Sequence, residues 1–417
     1  MISEFDGAGV CRGLWKHGLL FQKTSGWSDV KFPDTRDKAL SQLNEFVRRV
    51  GRYSSNRNHV IPHHENVSCL SAAIRHRLLT EWEVAEAPLT RYAPSTVEKF
   101  TQEVYWRTYW KGWLSLRPKV WDEYLEGIEE HSDAEKIRQG NGPVAVMNGF
   151  ARELVETGYL HNHSRMWFAG YWVHIVRLPW QLGAKFFQDH LLDFDPASNL
   201  LSWRWVAGLQ TPGKTYLPRR SNIEKYVAPT LLDPHGLELL ENPSAMMPGD
   251  VERPEVTRPL LPELEVPQDG KVLWIHEEDL NPESSPLGAY RPSKIVVTGE
   301  FLGKSELQKE WLRGALEDVA ERAGKHYDTS VEQVDDLIAW VKGNREAEIV
   351  AMRPEVGPLH DRLDSFVKSG LKLTLMVRPE DRYLRSLARS GFFGFWKKLR
   401  SRMESGDFPT SDQQELF

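Results

Sequence analysis

Between Asp233 and Gly270 the 417-residue chain fills with proline and acid: Asn242-Pro-Ser, Met247-Pro-Gly-Asp, Arg253-Pro-Glu, Arg258-Pro-Leu-Leu-Pro and Val266-Pro-Gln-Asp-Gly. Proline has no backbone donor and a fixed φ, so neither a helix nor a sheet ladder runs through such a stretch. The chain is thereby split in two, as its length allows at roughly 100–200 residues per domain.

The two sides differ in rhythm. Upstream, Ala39, Leu40, Leu43, Phe46 and Val47 recur at three- and four-residue spacing, and the same period predicts helices over 95–116, 144–157, 162–176 and 180–192. Downstream, short apolar runs at 272–276, 294–298, 349–352 and 371–376 read as strands. Helical segments at 307–323, 331–341, 356–369 and 379–403 alternate with them. That alternation predicts a parallel sheet covered on both faces. The expected fold class is therefore α plus α/β: an N-terminal extension (1–32), an all-helical domain (33–240), a Pro-rich linker (241–270), a smaller Rossmann-like α/β domain (271–404) and a flexible tail (405–417). No glycine-rich phosphate loop follows the first strand, where Glu277-Glu-Asp-Leu stands instead.

Composition removes several classes of function. A formal net charge of −6 argues against a general nucleic-acid coat, since nonspecific affinity rests on cations neutralising phosphates. A local basic groove stays open, with Lys214, Arg219, Arg220 and Lys225 as candidates beside His161, His163 and Arg165. The two cysteines, Cys11 and Cys69, support neither a disulfide framework nor a thiolate metal site, so no metal is expected and the setting is a reducing cytoplasm. The N-terminus has no basic region followed by an apolar run, and no stretch is apolar enough to span a bilayer; neither export nor membrane insertion is expected.

Four segments carry polar groups that packing alone does not call for. Asn66-Val-Ser-Cys-Leu-Ser, after Gly51-Arg-Tyr, puts hydroxyls at a helix start, where free N–H groups and the dipole favour an anion. Phe100, Glu103, Trp106, Arg107 and Trp110 share one helical face by their spacing, and an apolar face needs neither Glu nor Arg. His161-Asn-His-Ser-Arg-Met opens an aromatic helix with polar residues, each costing about 1–3 kcal/mol if buried unpaired. Asp193-Phe-Asp-Pro-Ala-Ser-Asn-Leu-Leu-Ser-Trp-Arg-Trp completes the set, within a chain of sixteen tryptophans.

These segments resemble the FAD-binding core of the photolyase/cryptochrome family. The resemblance implies a helical FAD-binding domain in which Tyr53, Arg57, Ser68, Leu70 and Ser71 hold the dinucleotide. Phe100 and Arg107 then face the cofactor, Arg165 pairs with Asp193, Asp195 contacts the isoalloxazine ring, and Asn199 faces its central nitrogen. Asn162 and Met166 approach both lesion and flavin. Glu103, Trp106, His163 and Trp205 stand at lesion-facing positions. Trp203 and Trp180 match the first two rings of an electron relay, with Trp121 as the candidate for the outer one. Catalysis is thus assigned to Trp203, Trp180, Asn199 and Glu103. Three positions depart from the family: Val67 replaces a Thr, Phe100 a frequent Trp, and His163 an Arg.

Members of the family usually carry an α/β antenna domain ahead of the helical one. Here Trp274-Ile-His-Glu-Glu-Asp-Leu-Asn-Pro resembles that domain's first strand, which implies a permuted order, although an unrelated α/β domain would show the same alternation. Its antenna chromophore, if any, is not legible. The activity implied is light-driven splitting of pyrimidine dimers in UV-damaged DNA, cyclobutane dimers before (6-4) photoproducts. The alternative is a cryptochrome-like blue-light photoreceptor that signals through a partner of its C-terminal domain.

Overall fold

The computed structural model describes residues 32–211, 213–249, 251–257, 265–299, 305–344 and 347–405. The expected N-terminal extension up to residue 31, with Cys11, and the tail beyond Ser405 lie outside the described residues, as do parts of the Pro-rich segment.

The first half is built of helices, with the longer ones at Arg36–Val47, Pro94–Ser115, Ala145–Thr157, Asn162–Gly170, Trp180–His190 and Pro196–Val206. Their ends follow local chemistry. Thr35 caps Arg36–Val47 by accepting from the Lys38 N–H, and Gly158 ends Ala145–Thr157 in the left-handed conformation, φ 69°. The helix expected over 162–176 changes character at Gly170 and finishes as a π-turn, Tyr171–Ile175.

The second half holds a sheet of five parallel strands, β1 (Val272–His276), β2 (Lys294–Thr298), β3 (Val331–Gln333), β4 (Glu348–Met352) and β5 (Lys372–Met376), in the order β3-β2-β1-β4-β5. This is a doubly wound α/β arrangement. Three helix expectations need correcting. Over 331–341 the chain forms β3 first, paired with β2. The helix starts only at Leu337, where Asp336 Oδ1 accepts from the Ile338 and Ala339 N–H groups at 2.8 and 3.2 Å. The stretch 356–369 is two short helices, Pro358–Asp361 and Leu363–Lys368, and 379–403 is also two, Pro379–Leu387 and Phe392–Ser405.

Strand periodicity ties the halves together. Leu273 and Ile275 point one way from β1 and join a buried cluster with Leu43, Phe46, Leu78 and Phe100 of the helical half. Val272 and Trp274 point the other way, to Trp340, Leu359 and Phe366. Buried ion pairs across the halves add to this: Arg75 Nη2 to Glu278 Oε1 at 2.6 Å and Arg77 Nη1 to Asp381 Oδ2 at 2.7 Å. Removing one member of such a pair strands a buried charge, at a cost of about 3–5 kcal/mol.

The last two helices return to the helical half. Leu384, Phe392, Phe395, Trp396 and Leu399 join the same core as Tyr105, Tyr109, Trp167 and Trp203. Gly112 makes room for them, because a Cβ there would come within 2.9 Å of the Ala388 side chain and 3.2 Å of the Arg385 backbone. None of the described helices is long and apolar enough to cross a membrane.

Candidate FAD-binding site

A cavity of about 1050 Å³ opens into the helical half, at the upper end of the roughly 300–1,000 Å³ typical of small-molecule sites. The side chains named from sequence come to it from separate elements. Tyr53 and Arg57 arrive from a short helix, and Ser68, Leu70 and Ser71 from the turn before Ser71–Arg75. Phe100, Glu103, Trp106 and Arg107 lie along Pro94–Ser115. Asn162, His163, Arg165 and Met166 open Asn162–Gly170. Asp193, Asp195, Asn199, Trp203 and Trp205 line the remaining wall. Trp180 is not among the lining residues. Its ring stacks on Tyr124 at 5.8 Å, and Tyr124 meets Trp121 at 5.3 Å. Trp121 is buried and donates from Nε1 to Asp361 Oδ2 at 2.7 Å.

Asp195 shows how the local fold sets the chemistry. Its Oδ1 caps Pro196–Val206 by accepting from the Ser198 N–H at 2.6 Å. Its Oδ2 faces Arg75 Nε at 3.7 Å, Arg107 Nη1 at 3.9 Å and Lys111 Nζ at 3.9 Å. Burial alone would push this carboxyl up, but the charges of Lys111, Arg107 and Arg75 outweigh it and hold the pKa at about 2. Asp193 is lowered in the same manner: burial is overcome by Arg165, whose Nη2 donates to Asp193 Oδ2 at 3.0 Å, and by Arg107. Glu103 sits between Arg57 Nη1 at 3.2 Å and Lys99 Nζ at 3.0 Å.

The departure at position 163 has a visible consequence. The His163 ring lies against Trp167, centroids 4.0 Å apart, and its Nδ1 is 2.8 Å from the Asn58 carbonyl. Burial lowers its pKa, so the ring is neutral near pH 7 and brings no cation to the cavity. The basic residues Lys214, Arg219, Arg220 and Lys225 do not line the cavity; Arg220 is engaged by Glu224 at 2.8 Å and by Glu241 at 2.5 Å. The exposed cations at the cavity edge are Arg253 and Arg389.

Sequence reasoning did not single out Arg75, Lys111, Ser198 or Phe392. Lys111 was within reach, since Glu103, Arg107 and Lys111 repeat every four residues on one face. Arg75 gave no local signal, because its partners Asp195 and Glu278 are remote in sequence.

Buried polar atoms in the wall test the fit of a ligand. Ser198 Oγ, Trp203 Nε1 and Arg107 Nη1 have no hydrogen-bond partner within the protein, and leaving such groups unpaired is costly. All three are donors, so the wall suits a ligand that brings acceptor groups to it. Residues 100–235 match the family model described as the FAD binding domain of DNA photolyase.

The helical half is similar to proteins of the photolyase/cryptochrome family. The matched domain is one that binds FAD, and the donors, cations and aromatic walls of this cavity suit that group. Among curated relatives, the deoxyribodipyrimidine photo-lyase of Alkalihalophilus pseudofirmus is 27% identical over 209 residues, covering 48% of this chain and 42% of its own length. The cryptochrome DASH of Idiomarina loihiensis is 34% identical over 131 residues, 30% of this chain and 28% of its own. The solved class III photolyase of Agrobacterium tumefaciens aligns over 48% of this chain and 44% of its own, at 25% identity and TM-score 0.42. The chain thus spans less than half the length of these relatives. No group of His, Cys, Asp and Glu suited to a metal ion occurs among the described residues.

Proposed function

We propose that this protein is a light-driven photolyase that splits UV-induced pyrimidine dimers in DNA. The observation that carries the reading is convergence: Glu103, Trp106, Asn162, Met166 and Trp205 line the same cavity as the FAD-suited residues Asp193, Asp195 and Asn199. Bound and reduced, FAD supplies the light-excited electron for dimer cleavage.

The chain's own residues do the rest. Arg75, Arg107 and Lys111 keep Asp195 ionised, which fixes a negative charge at the cavity wall over the working pH range. Asn199 Nδ2 donates to the Ala184 carbonyl at 2.9 Å, so its acceptor oxygen is the end left for a ligand. Arg57 and Lys99 hold Glu103 as an acceptor for a base edge. Trp106, Met166 and Trp205 give a flipped base apolar surface and exclude water. Trp203 at the wall and Trp180 serve as the electron-carrying pair; Trp180 stacks on Tyr124, which meets Trp121, but Trp121 is only 2% exposed and so does not provide the outer, solvent-side ring expected of it. Cyclobutane dimers are the favoured substrate, since the two cavity histidines, His161 and His163, are both lowered in pKa by burial and offer no charged acid.

The test is repair of a dimer-containing oligonucleotide by the purified, photoreduced protein under blue light and in the dark. Light-dependent loss of dimers supports the reading, and Glu103→Gln should lower it at least tenfold, the loss of about 1.4 kcal/mol of transition-state stabilisation. Bound flavin without repair of either lesion favours a cryptochrome-like photoreceptor. The observation on that side is that Arg75 joins Asp195 to Glu278 beside the sheet, a physical link between cavity and C-terminal half through which a partner could be signalled.

A further inference from the structure

The last described helix, Phe392–Ser405, lies outside the residues that match the FAD-binding domain. Its inward face is Phe392, Phe395, Trp396 and Leu399. It runs antiparallel to Pro94–Ser115: Phe392 meets Trp106 and Tyr109, while further on Trp396 Nε1 donates to Glu98 Oε1 at 3.3 Å and Arg400 Nη1 pairs with the same oxygen at 3.0 Å. The segment leading into it, Arg389 to Phe392, is part of the cavity wall.

The outward face is unlike the rest of this acidic chain. Phe393 is 76% exposed, the largest exposure among the large apolar side chains described. Phe393, Lys397 and Arg400 recur at four- and three-residue spacing and so form one stripe, with Lys398 beside it. All four are exposed, and the only acid on the helix is Glu404, which pairs with Arg400 at 2.8 Å. A single exposed Phe is ordinary on a protein surface. Here it directly follows a cavity-lining residue and heads a basic strip.

We infer that this stripe docks on the DNA strand flanking the nucleotide held in the cavity, with Lys397 and Lys398 on phosphates and Phe393 against the step vacated by the flipped base. The inference rests on the photolyase reading. Extruding a base leaves an unstacked gap, and proteins that deform a duplex fill such gaps with apolar side chains. Four residues of helix advance about 6 Å, close to two base steps of about 3.4 Å, so a ring at Phe393 and an ammonium at Lys397 can serve a gap and a phosphate on one strand. The charge of the strip complements a phosphate backbone.

The experiment uses the full chain loaded with FAD and measures binding to a dimer-containing duplex and to the same duplex intact, between 50 and 200 mM salt. Lys397→Gln/Lys398→Gln should keep the flavin absorbance and lower the slope of log K against log salt by about 2, one per lysine. Phe393→Ala should narrow the preference for the dimer-containing duplex while leaving the salt slope alone. If the wild-type protein binds the damaged duplex and the lysine variant keeps its slope, the docking assignment is wrong and the photolyase reading stands. Failure of the wild-type protein to prefer damaged duplex overturns both. Binding of an acidic protein through the same lysines, with DNA affinity unchanged in the variant, also overturns the assignment.

Discussion

Phe392 and Trp106 lie face to face, ring centroids 3.8 Å apart and planes within 9°. One ring comes from the last helix and the other from the helix carrying Glu103 and Arg107, so a cavity side chain is set by a residue 286 positions away, from 106 to 392. Phe392 also touches Tyr109 at 5.6 Å and Phe395 at 6.0 Å. It is 3% exposed and behaves as a fixed buttress.

Phe392→Ala should therefore destabilise the protein by about 3–5 kcal/mol, the usual cost of deleting a buried aromatic ring. Denaturant unfolding followed by Trp fluorescence checks this. Phe392→Tyr, which keeps the ring, should lose much less.

Asp195 has two roles that substitution can separate. Asp195→Asn keeps an oxygen able to cap Ser198, yet removes the charge facing Arg75, Arg107 and Lys111. Asp195→Ala removes both and should cost roughly 1 kcal/mol more, the worth of a helix cap. Because the folded pKa is held at about 2, below the ordinary 3.8, this group's stabilising contribution is present above about pH 4 and is lost as pH falls toward 2. An acid titration of stability should accordingly be shallower in Asp195→Asn than in the parent.

Gly183 lies inside Trp180–His190, where Ala would ordinarily be better by roughly 0.5–1 kcal/mol. A Cβ at that position would run into the six-membered ring of Trp203, with ring atom Cζ2 at 3.0 Å and others nearer. The clash should decide the sign: Gly183→Ala is expected to lower stability and to shift Trp203 in the cavity wall, read as a changed flavin absorbance band and a lower melting temperature.

The parts legible in the sequence were those whose signal is local. Val272–His276 is buried along its whole length, and its first four residues, Val272 to Ile275, read as an unbroken apolar run. The Asp193 to Trp205 segment stood out by its resemblance to the family's Asp-x-Asp-x-x-x-Asn-x-x-x-Trp-x-Trp pattern, which also implied the Arg165–Asp193 pair, whereas Arg75, Arg107 and Lys111 around Asp195 come together only in the fold. β3 was missed because Val331-Glu-Gln is a three-residue edge strand with no buried residue, and the helical pattern from Leu337 ran back over it. The break between the last two helices was hidden because Leu384, Ala388, Phe392 and Phe395 keep helical spacing across it. Phe392 itself gave no sign, since nothing local distinguishes a core ring from one lining a cavity.

Behind the cavity, His64 Nε2 and Glu153 Oε1 meet at 2.7 Å, both side chains almost wholly buried. Burial pushes the Glu153 carboxyl up to about 7, against the opposing pull of His64 and Arg165. The folded chain thus keeps a proton that the unfolded chain has released above about 4.5. Stability from this group is full below that pH and declines as pH rises through about 7. Glu153→Gln imitates the protonated acid in shape and cannot ionise, so its unfolding free energy should fall less steeply than the parent's between pH 5 and 7. A parent and variant with parallel pH profiles over that window would show that Glu153 is ionised in the folded protein.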